Sequence, residues 1–398
     1  MMVAGGPDTA AKVRLGFPGL TGPVALPAEV CPVLSACLHG WQPLAAPSVA
    51  PPLARIDRQG QGYRFASPTL AKPMTGLSAV GAVCALIAEL AQARSEAPDM
   101  LMGLHCAALE IGGRLVVLAG PARAGKTTLA TRLALEPGVR LFCDDVLPVR
   151  PDGQGMALGI APRLRLPVPE GAGAALAGLV ARHTTASDDR YAYVDVPGQA
   201  AHGSLAPLGA IVMLDRTPGQ QAELGRLSDD AGVRLMLAQA ITRADSPAAA
   251  LDQALRLMQG LPALRLRFDR LDDGASLLRA AMADPDRLAA LPDAPPPVLP
   301  PPHGSPVALH QRLARMPGVE RRGLSGGAFL WRSDEAELWH LNPVADAVWT
   351  LLEVPGSAAQ IAEVLSDLFP QVPPPDLERD VSALLGGLCT AGLVRPAV

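Results

Sequence analysis

Aromatic side chains are scarce. Phe, Tyr and Trp together make up 3% of the 398 residues, so packing has to rest on aliphatic side chains and any aromatic cluster stands out. One such cluster lies near the C-terminus. Basic runs are missing as well: the net charge is -4 and no block of five Lys or Arg occurs, which leaves no electrostatic footprint for nucleic acid. The six cysteines (Cys31, Cys37, Cys84, Cys106, Cys143, Cys389) contain no CxxC pair and have mostly apolar neighbours. That indicates neither a zinc site nor a disulfide framework and predicts small core residues. No membrane-length apolar run exists. The most apolar stretch, residues 76–88, is Ala-rich, too short to cross a bilayer and closed by Glu89, so it reads as a buried helix. The opening MMVAGGPDTAAKVRLGF has no continuous apolar segment of the kind a signal peptide needs, and the expected location is the cytoplasm, with no membrane partner.

What is present fits a soluble globular chain long enough for two or three domains, with 49% hydrophobic and 18% charged residues. The clearest boundary is APPPVLPPPHGSP at 294–306, where consecutive prolines lack backbone donors and favour an extended spacer. Four segments are therefore expected: a lead-in over 1–95 packed on the nucleotide domain, a P-loop domain over 96–290, the linker over 291–306, and a C-terminal domain over 307–398. Apolar runs at 101–111, 115–118, 141–143 and 210–214 read as strands. The segments after Lys126 and around 234–240 read as helices, and the alternation predicts an α/β domain. A strand pair is expected around 54–66 and a helix from Gly76 onward. After the linker, three short strands (319–322, 328–331, 337–341) precede three helices (343–352, 357–368, 375–391). The second of these is capped by Ser357, with Ile361, Val364, Leu365 and Leu368 on one apolar face.

GPARAGKT satisfies G-x-x-x-x-G-K-[ST] at Gly120, Gly125, Lys126 and Thr127, with a strand running in and a helix running out. Between them the backbone can curl so that its amides, from Gly120 through Arg123, Ala124 and Gly125 to Thr128, face the phosphates of ATP. Lys126 would reach the terminal phosphates and Thr127 would ligate Mg²⁺. The plain alternative is a Gly-rich strand-to-helix turn. Asp144 and Asp145 end the next apolar strand, 18 and 19 residues after Lys126. Adjacent carboxylates repel each other, and a nucleotide-bound Mg²⁺ would offset this, leaving one carboxylate to accept a proton from an attacking hydroxyl. Their alternative is a solvated Asp-Asp turn. His105, 15 residues before Gly120, is on its own more often a core or surface histidine.

Taken together, LHCAALEIGG, GPARAGKTT and LFCDDV resemble the catalytic core of the HPr kinase/phosphorylase family. The resemblance implies a catalytic His105, Asp144 as the general base for a protein or peptide hydroxyl, and Asp145 assisting at the metal with Thr127. It also brings in a carrier protein as substrate and a homo-oligomer, because the family's kinases assemble into hexamers. Departures are plain: Arg123 and Thr128 replace the family's inner glycine and acidic residue, Pro121 removes a donor, and the second family signature is absent. Arg163 and Arg165 of APRLRLP are candidates for a phosphate-facing loop.

The C-terminal runs ELWHLNPVADAVWTLLE, GSAAQIAEVL and RDVSALLGGLCTAGLV resemble the PqqD family of peptide-binding chaperones, with Leu341, Asn342, Pro343, Ala345 and Trp349 as the most specific residues. This implies an α+β winged helix that takes the leader of a ribosomally made precursor peptide as an added strand. Trp331, Trp339 and Trp349 also read as plain core. The fold class expected is thus an α/β P-loop nucleotide domain, like the C-terminal domain of HPr kinase, plus a small PqqD-like domain. The function expected is ATP- and Mg²⁺-dependent Ser/Thr phosphorylation of the captured precursor peptide. A non-catalytic, nucleotide-switched peptide chaperone is the alternative. A kinase for a small molecule or carrier protein, with the PqqD-like domain serving assembly, is a third.

Overall fold

The computed structural model describes residues 12–46, 50–295, 304–335 and 337–397. The chain divides into two compact units, the first Met1–Leu227, Ala238–Arg243 and Gln259–Ala294, the second Ser228–Leu237, Ala244–Met258 and Pro295–Val398. Most of the proline-rich spacer, 296–303, lies outside the described residues.

The first part of unit one is a six-stranded sheet covered by the helix Ala79–Ser95. Ser78 caps this helix by accepting the Gly81 N–H at 2.9 Å. The helix was expected from Gly76, but Gly76 and Leu77 belong to the preceding strand Met74–Leu77. One helix face buries Val83, Leu86 and Leu90 against Ile56, Phe65 and Trp41, a core that also takes in Leu158 and Tyr193. Those two residues lie within the segment expected over 96–290, so the N-terminal segment and that segment share this core.

The nine-stranded sheet of unit one has a long central strand, Leu205–Arg216. It runs parallel to Arg114–Ala119 on one side and to Ala263–Phe268 on the other. The first is a near-continuous Leu/Val/Ala run after Arg114, as a strand buried on both faces requires, whereas Ala263–Phe268 alternates its apolar residues with Arg265 and Arg267. Their aliphatic side chains and those of the helices Lys126–Leu133 and Leu271–Met282 form a separate core. The single strand expected at 101–111 is two, Met102–His105 and Ala107–Ile111, which pair with different neighbours.

In unit two, Val319–Leu324, Gly327–Arg332 and Leu338–Leu341 form a three-stranded antiparallel sheet, followed by helices Pro343–Leu351, Ala358–Leu368 and Pro374–Thr390. Asn342 caps the first helix through the Ala345 N–H, and Ser357 and Gln360 form a capping box on the second. Leu330 faces a core with Trp349, Ile361 and Leu365. The apolar face expected on the second helix is narrower than predicted: Val364 and Leu368 are 48% and 64% exposed. Phe329 and Trp331, on the opposite sheet face from Leu330, are buried too. That side carries most of helix Asp229–Gln239 and helix Pro247–Met258, which pack with this sheet although they lie between two strands of unit one in the chain. His340 Nε2 stands 3.2 Å from the buried Asp230, and Arg234 lies 3.2 Å from its Nδ1.

One position tests the first unit's architecture. Gly159 has φ +67°, and a β-carbon there would overlap the His39 carbonyl oxygen. Gly159→Ala is therefore expected to destabilise unit one by roughly 3 kcal/mol, a melting-point drop on the order of 8 °C by calorimetry.

Candidate functional site

The loop between Ala119 and Lys126 is shaped by three left-handed or extended-positive residues: Gly120 (φ +147°), Arg123 (φ +69°) and Gly125 (φ +92°). Gly125 is the N-cap of helix Lys126–Leu133, and being a glycine it gives that first turn no side-chain cap. Among the described residues, nothing lies within 4 Å of where a Gly125 β-carbon would stand, so the loop is uncrowded on that side. Lys126, 8% exposed, donates from Nζ to the Gly120 carbonyl at 2.8 Å and the Pro121 carbonyl at 3.4 Å. Burial lowers its pKa, an effect that nearby Cys106 and Asp145 oppose. Among the described residues the ammonium has no carboxylate in hydrogen-bond contact, and an arriving polyanion would fit it. Arg123 is exposed, and Ala124 and Thr128 are partly buried.

The carboxylates owe their place to a change of strand partner. Val139–Cys143 pairs with Ala107–Ile111, whereas Val146–Val149 pairs with Met102–His105. Both ribbons break at the same level, at Cys106 on one and Asp144–Asp145 on the other, tied by the Cys106 N–H donating to the Asp145 carbonyl at 3.0 Å. The break turns the two aspartates in different directions. Asp144 is 6% exposed, and its Oδ2 accepts the Arg163 backbone N–H at 2.8 Å. Burial, and secondly the charge of Asp145, raises its carboxyl to about 7. Its main-chain oxygen lies 3.5 Å from the Thr127 hydroxyl, so the pair abuts the Gly120–Thr127 loop. Asp145, its side chain 47% exposed, has Oδ1 3.3 Å from His105 Nε2 and Oδ2 3.8 Å from the Arg163 guanidinium.

All three catalytic candidates, His105, Asp144 and Asp145, thus meet at one break in the sheet, with Thr127 beside them. Arg163, a candidate for a phosphate-facing loop, stands on the strand Arg163–Arg165; it turns toward Asp145, stacks over the Tyr191 ring at 4.9 Å and donates to the Cys84 thiol. Arg165, on the same strand, is exposed opposite Tyr191. Sequence reasoning passed over Asp215, which follows the run Ala210–Leu214 on the strand parallel to the loop strand. The apolar run ending in Asp was its signal. Its carboxylate accepts from Arg265 at 2.6 Å and from Arg267 at 3.2 Å, so guanidinium groups occupy it.

Among the described residues, no group of three His, Cys, Asp or Glu could hold a metal unaided. A cation here would need oxygens from a ligand, as the phosphates of a nucleotide provide. Nor is any described helix long and apolar enough to cross a membrane.

No curated protein matches the chain. Among solved structures, a lasso peptide synthetase B1 complexed with its leader peptide is 27% identical over 21% of this chain and 98% of its own, with TM-score 0.20. The PqqD part of Methylobacterium extorquens PqqCD is 22% identical over 24% and 97%, with TM-score 0.20. The Hpr(Ser) kinase/phosphatase from Coxiella burnetii is 15% identical over 47% and 97%, with TM-score 0.23. Residues 327–394 match the family model described as Coenzyme PQQ synthesis protein D (PqqD), and the second unit therefore carries a PqqD domain at its C-terminal end.

Proposed function

We propose that the chain is an ATP-dependent Ser/Thr kinase whose PqqD domain captures a ribosomally made precursor peptide. The observation that carries this reading is Asp144: a buried carboxylate raised to about 7, set against the P-loop through Thr127. A base with that affinity can take a hydroxyl proton near neutral pH, which an ordinary exposed aspartate does poorly.

Lys126 and the amides of the Gly120–Thr127 loop bind and orient the triphosphate. Thr127 and Asp145 are the residues that would hold Mg²⁺, which supplies charge neutralisation at the β and γ phosphates. Asp144 receives the proton of the acceptor hydroxyl as its oxygen bonds to the γ-phosphorus. The bond from that phosphorus to the bridging oxygen breaks, and ADP leaves with the electron pair. His105, 3.3 Å from Asp145, orients that carboxylate. The PqqD domain, read as a winged helix, would take the leader as an extra strand on an edge of its three-stranded sheet. Tethering then raises the acceptor concentration to the order of millimolar.

With labelled ATP, Mg²⁺ and a Ser- or Thr-containing precursor peptide that the PqqD domain binds, wild type should transfer phosphate to Ser or Thr. Lys126→Ala should lose at least about 100-fold in transfer and weaken nucleotide binding. Asp144→Asn should lose transfer by about 100- to 1,000-fold while binding ATP as wild type does. If wild type binds ATP and peptide but transfers nothing, the nucleotide-switched chaperone replaces the kinase. Transfer only to a carrier protein moves the substrate class instead.

Asp144 also makes a stability prediction. Because its folded pKa lies above the unfolded value, the folded state holds this proton longer. Stability from this group is therefore full below the unfolded pKa and falls as pH rises toward about 7. Asn carries no charge, so Asp144→Asn should raise the melting temperature, by more at pH 8 than at pH 5, without ligand. The expected gain above neutrality is on the order of a few kcal/mol, and equal melting curves at both pH values would count against the buried-carboxylate account.

A further inference from the structure

The six-stranded sheet of unit one turns one face, with Ile56 and Phe65, to the core under the helix Ala79–Ser95, and strand alternation sends the intervening residues to the other face. On that outer face the register brings Lys12, Asp57 and Arg64 to one level, with Arg55 two residues from Asp57. Three cations converge there on one carboxylate. Lys12 Nζ stands 2.9 Å from Asp57 Oδ1, while Arg55 Nε and the Arg64 guanidinium stand 2.9 and 3.6 Å from Oδ2. The Lys12 and Arg55 side chains are 59% and 48% exposed against 20% for Asp57, so the cations stand outside the carboxylate they share. We infer that this face docks an acidic polypeptide segment, whose carboxylates meet the donors that Asp57 leaves over, a contact independent of the kinase reading.

Charge is segregated along the chain. Residues 1–95 hold 7 Lys or Arg and 4 Asp or Glu, a net +3, whereas the whole chain stands at -4, which leaves -7 on residues 96–398. The surplus is therefore confined to the segment that builds this sheet, and carboxylates are its complement. Exposed ion pairs are weak, so the three cations are not committed to Asp57 and can turn to a second carboxylate at little cost. The two guanidinium forks suit such a group bidentately, and the ammonium brings three donors. Asp57 also selects the class of partner. Phosphates set closely along a nucleic acid or a lipid surface would be pressed against it, whereas a polypeptide can place its carboxylates around it. Base stacking has no platform here either, because Tyr63 and Phe65 are buried on the core side. A fourth cation of the same face, Arg14, is turned to the Ala50 carbonyl and adds nothing to the cluster.

The experiment uses the full chain and a fluorescein-labelled peptide of alternating Glu and Thr, whose carboxylates fall on one side when extended, followed by fluorescence anisotropy. The control peptide has Gln for every Glu. Wild type should bind the Glu peptide at least about tenfold more tightly than the Gln peptide at low salt, and about 0.3 M NaCl should erase most of that difference. The double variant Arg55→Gln/Arg64→Gln should lose at least about tenfold in affinity with an unchanged melting curve, whereas Asp57→Asn should gain about threefold, because the internal competitor is gone. Lys12→Gln/Arg55→Gln serves if the arginine pair misfolds. Equal binding of the two peptides, a folded double variant with wild-type affinity, or an Asp57→Asn chain that binds more weakly than wild type overturns the docking face. Oligo(dT) or phosphatidylserine vesicles that bind more tightly than the Glu peptide, and lose that binding in the same double variant, put a phosphate polyanion in place of the polypeptide and overturn the assignment too. None of these measurements involves ATP, so the kinase reading stands or falls separately.

Discussion

The candidate site depends on one constraint: two neighbouring strand ribbons exchange partners at the same height. Backbone amides and carbonyls in a sheet must be paired, and a strand that changes neighbours has to leave a short unpaired joint. Here the joints are Cys106 and Asp144–Asp145, stitched together by one hydrogen bond from the Cys106 amide. The joint is what releases two consecutive side chains from the strict in-out alternation of a strand. One carboxylate goes inward and the other outward, toward His105. Without that break, one aspartate would have to enter the aliphatic core formed by Leu109, Val116 and Leu141.

The inward carboxylate is an expense for the fold. It loses water, sits beside a second negative charge, and is compensated chiefly by the Arg163 amide. A residue chosen for stability alone would not be an aspartate at this place, and such local conflicts are where function is most often found. Lys126 is in a similar position, a buried ammonium that among the described residues donates to two carbonyls of its own loop. Lys126 precedes Thr127 in the chain, and the Asp144 carbonyl lies 3.5 Å from the Thr127 hydroxyl, so the loop and the joint abut there.

Much of this was legible in the sequence because the signals are local. The loop motif at Gly120–Thr127 spans eight residues, its glycines occupy positive φ, and the Asp pair ends the next apolar run. The PqqD resemblance could be read from a short segment for the same reason, and residues 327–394 match that family. What escaped were properties of pairing and of long-range packing. No residue type marks the break at Cys106, since cysteine continues an apolar run. Ser78 shows in hindsight why the helix starts after Gly76: a hydroxyl cap outranks an Ala-rich run. Val364 and Leu368 had the right period, but Ile361 and Leu365 alone fill the space available on that helix face. The meeting of Cys84, Arg163 and Tyr193 joins segments up to 109 residues apart, and sequence spacing carries no trace of it.

The route of the chain through unit two bears on how the protein can be taken apart. The sheet that carries the PqqD match has two covered faces, and the helices over the face of Phe329 and Trp331 come from residues 228–237 and 244–258. Cleavage in the proline-rich stretch would leave those helices behind on the other fragment. An isolated 304–398 polypeptide would present two large aromatic side chains and the unpaired His340 to water, and would be prone to self-association. A soluble excised version would need polar replacements at Phe329 and Trp331, or the two missing helices grafted on.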